Sequence, residues 1–213
     1  MDKYYYHKLS NDLKLVFVEN NFIETCSISI CVNVGSVNEY NFPSGISHFL
    51  EHMVFKGTKN FKEMELIEAF EEKGISFNAS TDKDATIYYA KMNKIYIEKC
   101  LELFSEMLFH STFPIVEIEK EKNVVIEEYN KDFDDSSEFI EELLTPKIFS
   151  GHQMENSVIG TKKTIRSIKR KDIIDYYNLY YNPNNMTMAI AGNIDKDIVR
   201  KIVVKYFSVK NKN

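Results

Sequence analysis

The chain has 213 residues, 44% hydrophobic, 28% charged and 13% aromatic. That is enough to bury a sizeable core, and too much Tyr and Phe for a disordered or low-complexity protein. With 27 basic and 32 acidic residues the net charge is −5, so general electrostatic attraction to nucleic acid is excluded as a basis for function.

No apolar run approaches the roughly 18 residues of a membrane helix. The opening Met1-Asp2-Lys3-Tyr4-Tyr5-Tyr6-His7 has neither a signal-peptide core nor an Arg-rich transit pattern, so a cytoplasmic protein without a membrane anchor is expected. Tyr4 to Tyr6 are expected in a first strand or an interface. Residues 13–19 (LKLVFVE) and 25–34 (TCSISICVNV) alternate apolar and polar side chains, as half-buried strands do. Helices are expected over 44–56 and over 61–73, the second stopped by Gly74. Residues 75–80 and 85–91 alternate again around Thr81-Asp82-Lys83-Asp84 and read as a hairpin. Helical spacing follows over 95–109, from Pro114 to about Asp132, over 139–149 and over 171–181. A strand over 185–191, ended by Gly192, and an amphipathic helix over 195–207 complete the chain, with 205–213 expected as a frayed basic tail. Interspersed strands and helices with hairpin pairing predict an α+β domain, a mixed or antiparallel sheet covered by helices. Cys26, Cys31 and Cys100 form no CxxC pair, and three buried thiols in a reducing compartment are expected. His7, His110 and His152 stand in no pattern.

The sharpest chemical signal is His48-Phe49-Leu50-Glu51-His52. On a helix, positions i and i+4 share a face, so the two imidazoles can converge on one ion with Glu51 beside them. Neutral imidazole is a good zinc ligand, and a carboxylate near activated water can act as general base. The plain alternative is a helix whose histidines simply pack or face water. Two histidines leave a catalytic zinc site one ligand short. The helix after Pro114 offers Glu117, Glu119, Glu121, Glu127 and Glu128. Lys120, Asn123, Glu127, Lys131 and Asp134 form a polar stripe that should face water, with Glu127 and Lys131 as a surface pair. Glu121, Val124, Val125 and Glu128 share another face, where acid beside valine needs a compensating charge. Glu128 is the better third ligand, and Glu121, two turns earlier, can support the site by holding a ligand.

These residues lie within a longer pattern: Gly35-Ser36, Glu39, Gly45, His48 to Met53, Phe55-Lys56-Gly57-Thr58, then Ile75 to Thr81, Tyr88 to Lys91, Ile118 to Glu128, Val158 to Thr161, Ile165 to Ile168, Tyr180 to Met186 and Ala191 to Asn193. The pattern resembles the active domain of the pitrilysin-type metallopeptidases with the inverted HxxEH motif. It is especially similar to their processing-peptidase branch, which includes the β subunit of the mitochondrial processing peptidase. The likeness covers nearly the whole chain. It implies one Zn2+ per chain held by His48, His52 and Glu128, with Glu51 activating water and Glu121 supporting the site. It also implies that Asn78 and Ala79 bind the backbone of a peptide added as an extra strand. The implied function is zinc-dependent endopeptidase action on extended peptides or presequences. The family usually adds a second, metal-free domain. None is expected within residues 1–213, which read as a single catalytic domain, so a homodimer or a second domain or subunit would complete the chamber. Two alternatives compete. One is an inactive family member serving as an interaction subunit. The other is a small-molecule lyase like S-ribosylhomocysteine lyase, which shares HxxEH but needs a cysteine-based site, whereas the run after Pro114 fits the peptidase pattern.

Overall fold

A computed structural model describes residues 4–212; Met1 to Lys3 and Asn213, which belong to the two terminal expectations, lie outside them. Six strands, β1 (Tyr4–Lys8), β2 (Lys14–Glu19), β3 (Thr25–Val32), β4 (Ser76–Thr81), β5 (Thr86–Asn93) and β6 (Met186–Gly192), form one sheet in the order β1-β2-β6-β3-β5-β4. Only β2 and β6 run parallel. The expected α+β class with a mixed sheet is therefore the observed one. The late strand β6 lies between β2 and β3, so residues far apart in sequence share one sheet.

Period-two alternation decides which face of the sheet is covered. Cys26, Ile28, Ile30 and Val32 of β3 are buried together with Met186, Met188 and Ile190 of β6 and Tyr88 and Met92 of β5. Their neighbours Ser27, Ala189, Ala191, Tyr89 and Lys91 are exposed on the opposite face. The helices are α1 (Ile46–Met53), α2 (Glu63–Glu71), α3 (Ile97–His110), α4 (Ile115–Asp134), α5 (Ser136–Ile148), α6 (Lys162–Ser167), α7 (Arg170–Tyr180) and α8 (Lys196–Phe207); all but α5, which packs against α4 with Ile140, Leu143 and Ile148 exposed, bury side chains over the apolar face. Among the described residues, no helix is long and apolar enough to cross a membrane.

Most expected elements form within a few residues of their sequence bounds, and the 75–91 hairpin forms as β4 and β5. Helix α6 went unforeseen: it is a six-residue piece capped by Thr161 through Thr164, too short to show a period. The polar stripe of α4 faces water throughout, although no ion pair joins the described residues Glu127 and Lys131. Val124 corrects the expected apolar face, being 51% exposed while Val125 is fully buried. The covered stripe runs Ile118, Glu121, Val125, and the 100° step to Val124 carries it off that stripe. Cys31 is only half-buried. The tail does not fray over its described part. Asn11 Nδ2 donates to the carbonyls of Phe207 (2.7 Å) and Val209 (2.9 Å), and the Lys212 amide donates to Asn182 Oδ1 (2.8 Å). A basic composition reads as a solvated end, but satisfied backbone groups are what hold a terminus.

Candidate metal centre

Helix α1 starts where two chain segments touch. Gly45 has φ +89°, and a Cβ there would lie 2.4 Å from the Ile159 carbonyl oxygen, so only glycine fits. The first-turn amides have no local side-chain cap. Glu39 reaches in instead, accepting from the amides of Gly45 and Ser47, both at 2.8 Å. Burial pushes the Glu39 carboxyl up to about 7, against the pull of those bonds. Ser47 Oγ and Tyr176 OH, 2.7 Å apart, tie the same turn to α7.

From this anchored start, His48 and His52 project one turn apart with ring centroids separated by 4.6 Å. Helix α4 brings Glu128 to them: its Oε2 lies 3.7 Å from His48 Nε2 and 3.5 Å from His52 Nε2. One ligand atom from each residue falls within 4.8 Å of the others. Those separations are too long for hydrogen bonds. They approach the edge of a donor tetrahedron, about 3.3 Å for bonds of zinc–nitrogen length. Three atoms thus face a common point rather than one another. Two imidazole nitrogens and a carboxylate oxygen are a donor set that suits zinc.

Burial and neighbouring charges act differently on the three ligand residues. Burial, then the neighbouring His52, hold His48 down to about 3, so its ring is neutral and one ring nitrogen keeps a lone pair. Its Nδ1 is buried without a hydrogen-bond partner among the described residues. For His52, burial favours the neutral ring but is outweighed by the hydrogen bond and charge of Glu121, with Glu128 and Glu51 adding to the upward shift. His52 Nδ1 donates to Glu121 Oε1 at 2.8 Å, which points Nε2 at Glu128. The other oxygen of Glu121 meets Lys56 Nζ at 2.9 Å, and Lys56 meets Glu63 at 2.7 Å. Burial pushes Glu121 up, but the bonds from His52 and Lys56 prevail and hold it below the usual carboxylate range. Burial raises Glu128.

Glu51 is nearly buried, and its Oε2 accepts from Thr81 Oγ1 at 2.5 Å. Burial raises its carboxyl, with the Thr81 bond opposing. A cavity of about 310 Å³ opens beside His48 and Glu128, with Thr81, Lys83, Glu141 and Glu142 in its walls. Asn78 and Ala79 sit apart from it on β4, the edge strand that ends in Thr81. There the Ala79 amide donates to Asn78 Oδ1 at 2.9 Å.

The structure thus gathers His48, His52, Glu128, Glu51 and Glu121 into one cluster and leaves Asn78 and Ala79 on the adjoining strand. The sequence reading assigned no role to Lys56, Glu63, Thr81 or Glu39. Lys56 follows His52 at i+4, the same spacing that flagged the two histidines, so a signal existed. Thr81 and Glu39 act across loops, where spacing carries none.

The cluster thus lies where α1, α4 and the end of β4 meet. The family model "Insulinase (Peptidase family M16)" matches residues 15–162, and "Peptidase M16 inactive domain" matches residues 167–213. The chain belongs to peptidase family M16. The segment matched by the second model is no separate body here, since it contributes the interior strand β6. Among relatives, the chain is 35% identical over 197 residues to the uncharacterised zinc protease YmxG of Bacillus subtilis (strain 168), covering 92% of this chain and 48% of that one. It is 31% identical over 192 residues to the mitochondrial-processing peptidase subunit beta of Caenorhabditis elegans, covering 90% and 42%. A solved protease from Helicobacter pylori superposes with a TM-score of 0.94 at 31% identity, over 99% of this chain and 51% of that one. The chain spans about half the length of these proteins.

Proposed function

We propose that the chain is the metal-binding half of a zinc endopeptidase that hydrolyses extended peptides or presequences. One observation carries this: His48 Nε2, His52 Nε2 and Glu128 Oε2 converge from two helices, with the Glu51 carboxylate alongside. Zinc bound there would polarise the scissile carbonyl and make water a competent nucleophile near neutral pH. Glu51 takes the proton of the attacking water on Oε1, the oxygen that Thr81 leaves free, and returns it to the departing amine. A carboxylate whose proton affinity is raised by burial is suited to both transfers. The free edge of β4 supports strand addition by the substrate. An incoming peptide takes over the Ala79 amide from the Asn78 side chain, which then turns to the peptide itself. Acidic walls at Glu141 and Glu142 favour a basic substrate side chain in the adjoining cavity. A second half, from a further domain, a partner subunit or another copy, closes over the bound peptide.

Metal analysis and a quenched-peptide assay test the proposal. Wild type should hold one zinc per chain and cleave peptide once paired with its second half, and Glu51→Gln should keep the zinc and lose cleavage. A chain that binds no zinc at neutral pH overturns it, as does Glu51→Gln cleaving at the wild-type rate.

A further inference from the structure

Helix α4 presents two glutamates to the histidine pair from different sides: Glu128 faces both Nε2 atoms, and Glu121 bonds Nδ1 of His52. What separates their tasks lies outside α4. Lys56, in the turn that ends α1, places Nζ 2.9 Å from Glu121 Oε2, and Glu63, first residue of α2, fixes the same ammonium at 2.7 Å. The first turn of a helix favours a negative side chain, so Glu63 is a stable anchor. Glu121 is therefore held on both oxygens, by His52 from one side and Lys56 from the other, with its side chain only 5% exposed. A carboxylate bonded at one oxygen can pivot about that bond; one bonded at both by donors from a helix and its exit turn cannot.

We propose that Lys56 is a positioning residue for the metal group: it holds Glu121 on His52 and so fixes the imidazole whose Nε2 faces Glu128. The inference rests on the zinc peptidase reading and adds Lys56 and Glu63 to it. The chain of contacts runs Glu63, Lys56, Glu121, His52 and crosses three helices, so the orientation of one imidazole is set by residues that never approach the substrate. Released by loss of the ammonium, Glu121 would keep only the His52 bond, pivot about it and leave one buried oxygen unpaired. The His52 ring would then turn with it, carrying Nε2 off the point it shares with His48 Nε2 and Glu128.

The test measures Zn2+ affinity of the full chain by chelator competition at neutral pH, with thermal unfolding of each metal-free form as a control. Lys56→Met should weaken zinc binding by about 10–100-fold, the usual effect of removing support behind a ligand, and Lys56→Arg should restore most of it. If Lys56→Met binds zinc as tightly as wild type and only its metal-free unfolding temperature falls, Lys56 is a staple between helices and the proposal is overturned. Should Lys56→Met fail to fold, Glu63→Gln decides: a smaller loss of affinity supports the proposal, and unchanged affinity overturns it. A wild-type chain that holds no zinc overturns the peptidase reading itself, whereas equal affinity in wild type and variants overturns this inference alone.

Discussion

The two ends of the inner face of α4 carry the same residue type and differ in almost everything else. Glu121 has a side chain 5% exposed, with a cation on one oxygen and a histidine on the other. Glu128, two turns on, is 40% exposed and faces the two Nε2 atoms across gaps of 3.5 and 3.7 Å. Burial acts on both carboxyls in the same direction, yet Glu121 ends below the usual range and Glu128 above it. Glu39 extends the comparison. It is as buried as Glu121 but held by backbone amides rather than by a paired cation, and it rises to about 7. The job of a buried carboxylate is set by what meets its oxygens, and backbone dipoles offset desolvation less than a full charge does.

The comparison breaks most visibly at Glu128. Glu128→Gln should lower peptide hydrolysis by about 10³-fold or more, since the ion contributes several kcal/mol to the transition state. Removing metal with a chelator should lower the unfolding temperature of wild type and leave that of Glu128→Gln unmoved. Glu121→Gln sharpens the contrast: zinc should still bind at one per chain, about 10–100-fold more weakly in a competition assay.

Glu39 supplies the pH arm. Its folded value of about 7 lies above the unfolded 4.5, so the folded state binds its proton more tightly. The stabilisation this gives is complete below about pH 4.5 and is lost as pH rises through 7, by at most about 3 kcal/mol. Denaturant unfolding at pH 5 and pH 8 should show a steeper loss of stability with pH in wild type than in Glu39→Ala. The smallest effects lie on the helix between the two acids. Val125→Ala should cost about 1–2 kcal/mol in the same assay, and Val124→Ala less than about 0.5 kcal/mol. Equal costs would mean that the two valines share one face after all.

Much of the site was legible because its closest pieces are local. His48 and His52 lie one helical turn apart, and a period of 3.6 residues places them together whatever surrounds the helix. Glu128 and Glu121 could be ranked against Glu127 because helical phase separates a polar stripe from an apolar one. The same reasoning failed at Val124, where a hydrophobic residue falls just off the stripe and nothing in its neighbours says so. It also failed for the tail, held by side-chain bonds to Asn11 and Asn182 from far along the chain.

The sequence by itself determined the α+β class, the hairpin of β4 and β5, and the helix that displays the two histidines, because periodicity and turn chemistry act over a few residues. Tertiary structure alone decided that Glu39 caps α1, that Thr81 holds Glu51, and that Lys56 and Glu63 brace Glu121. Each of those joins groups from different elements, and their distances depend on how the sheet and helices pack around one core.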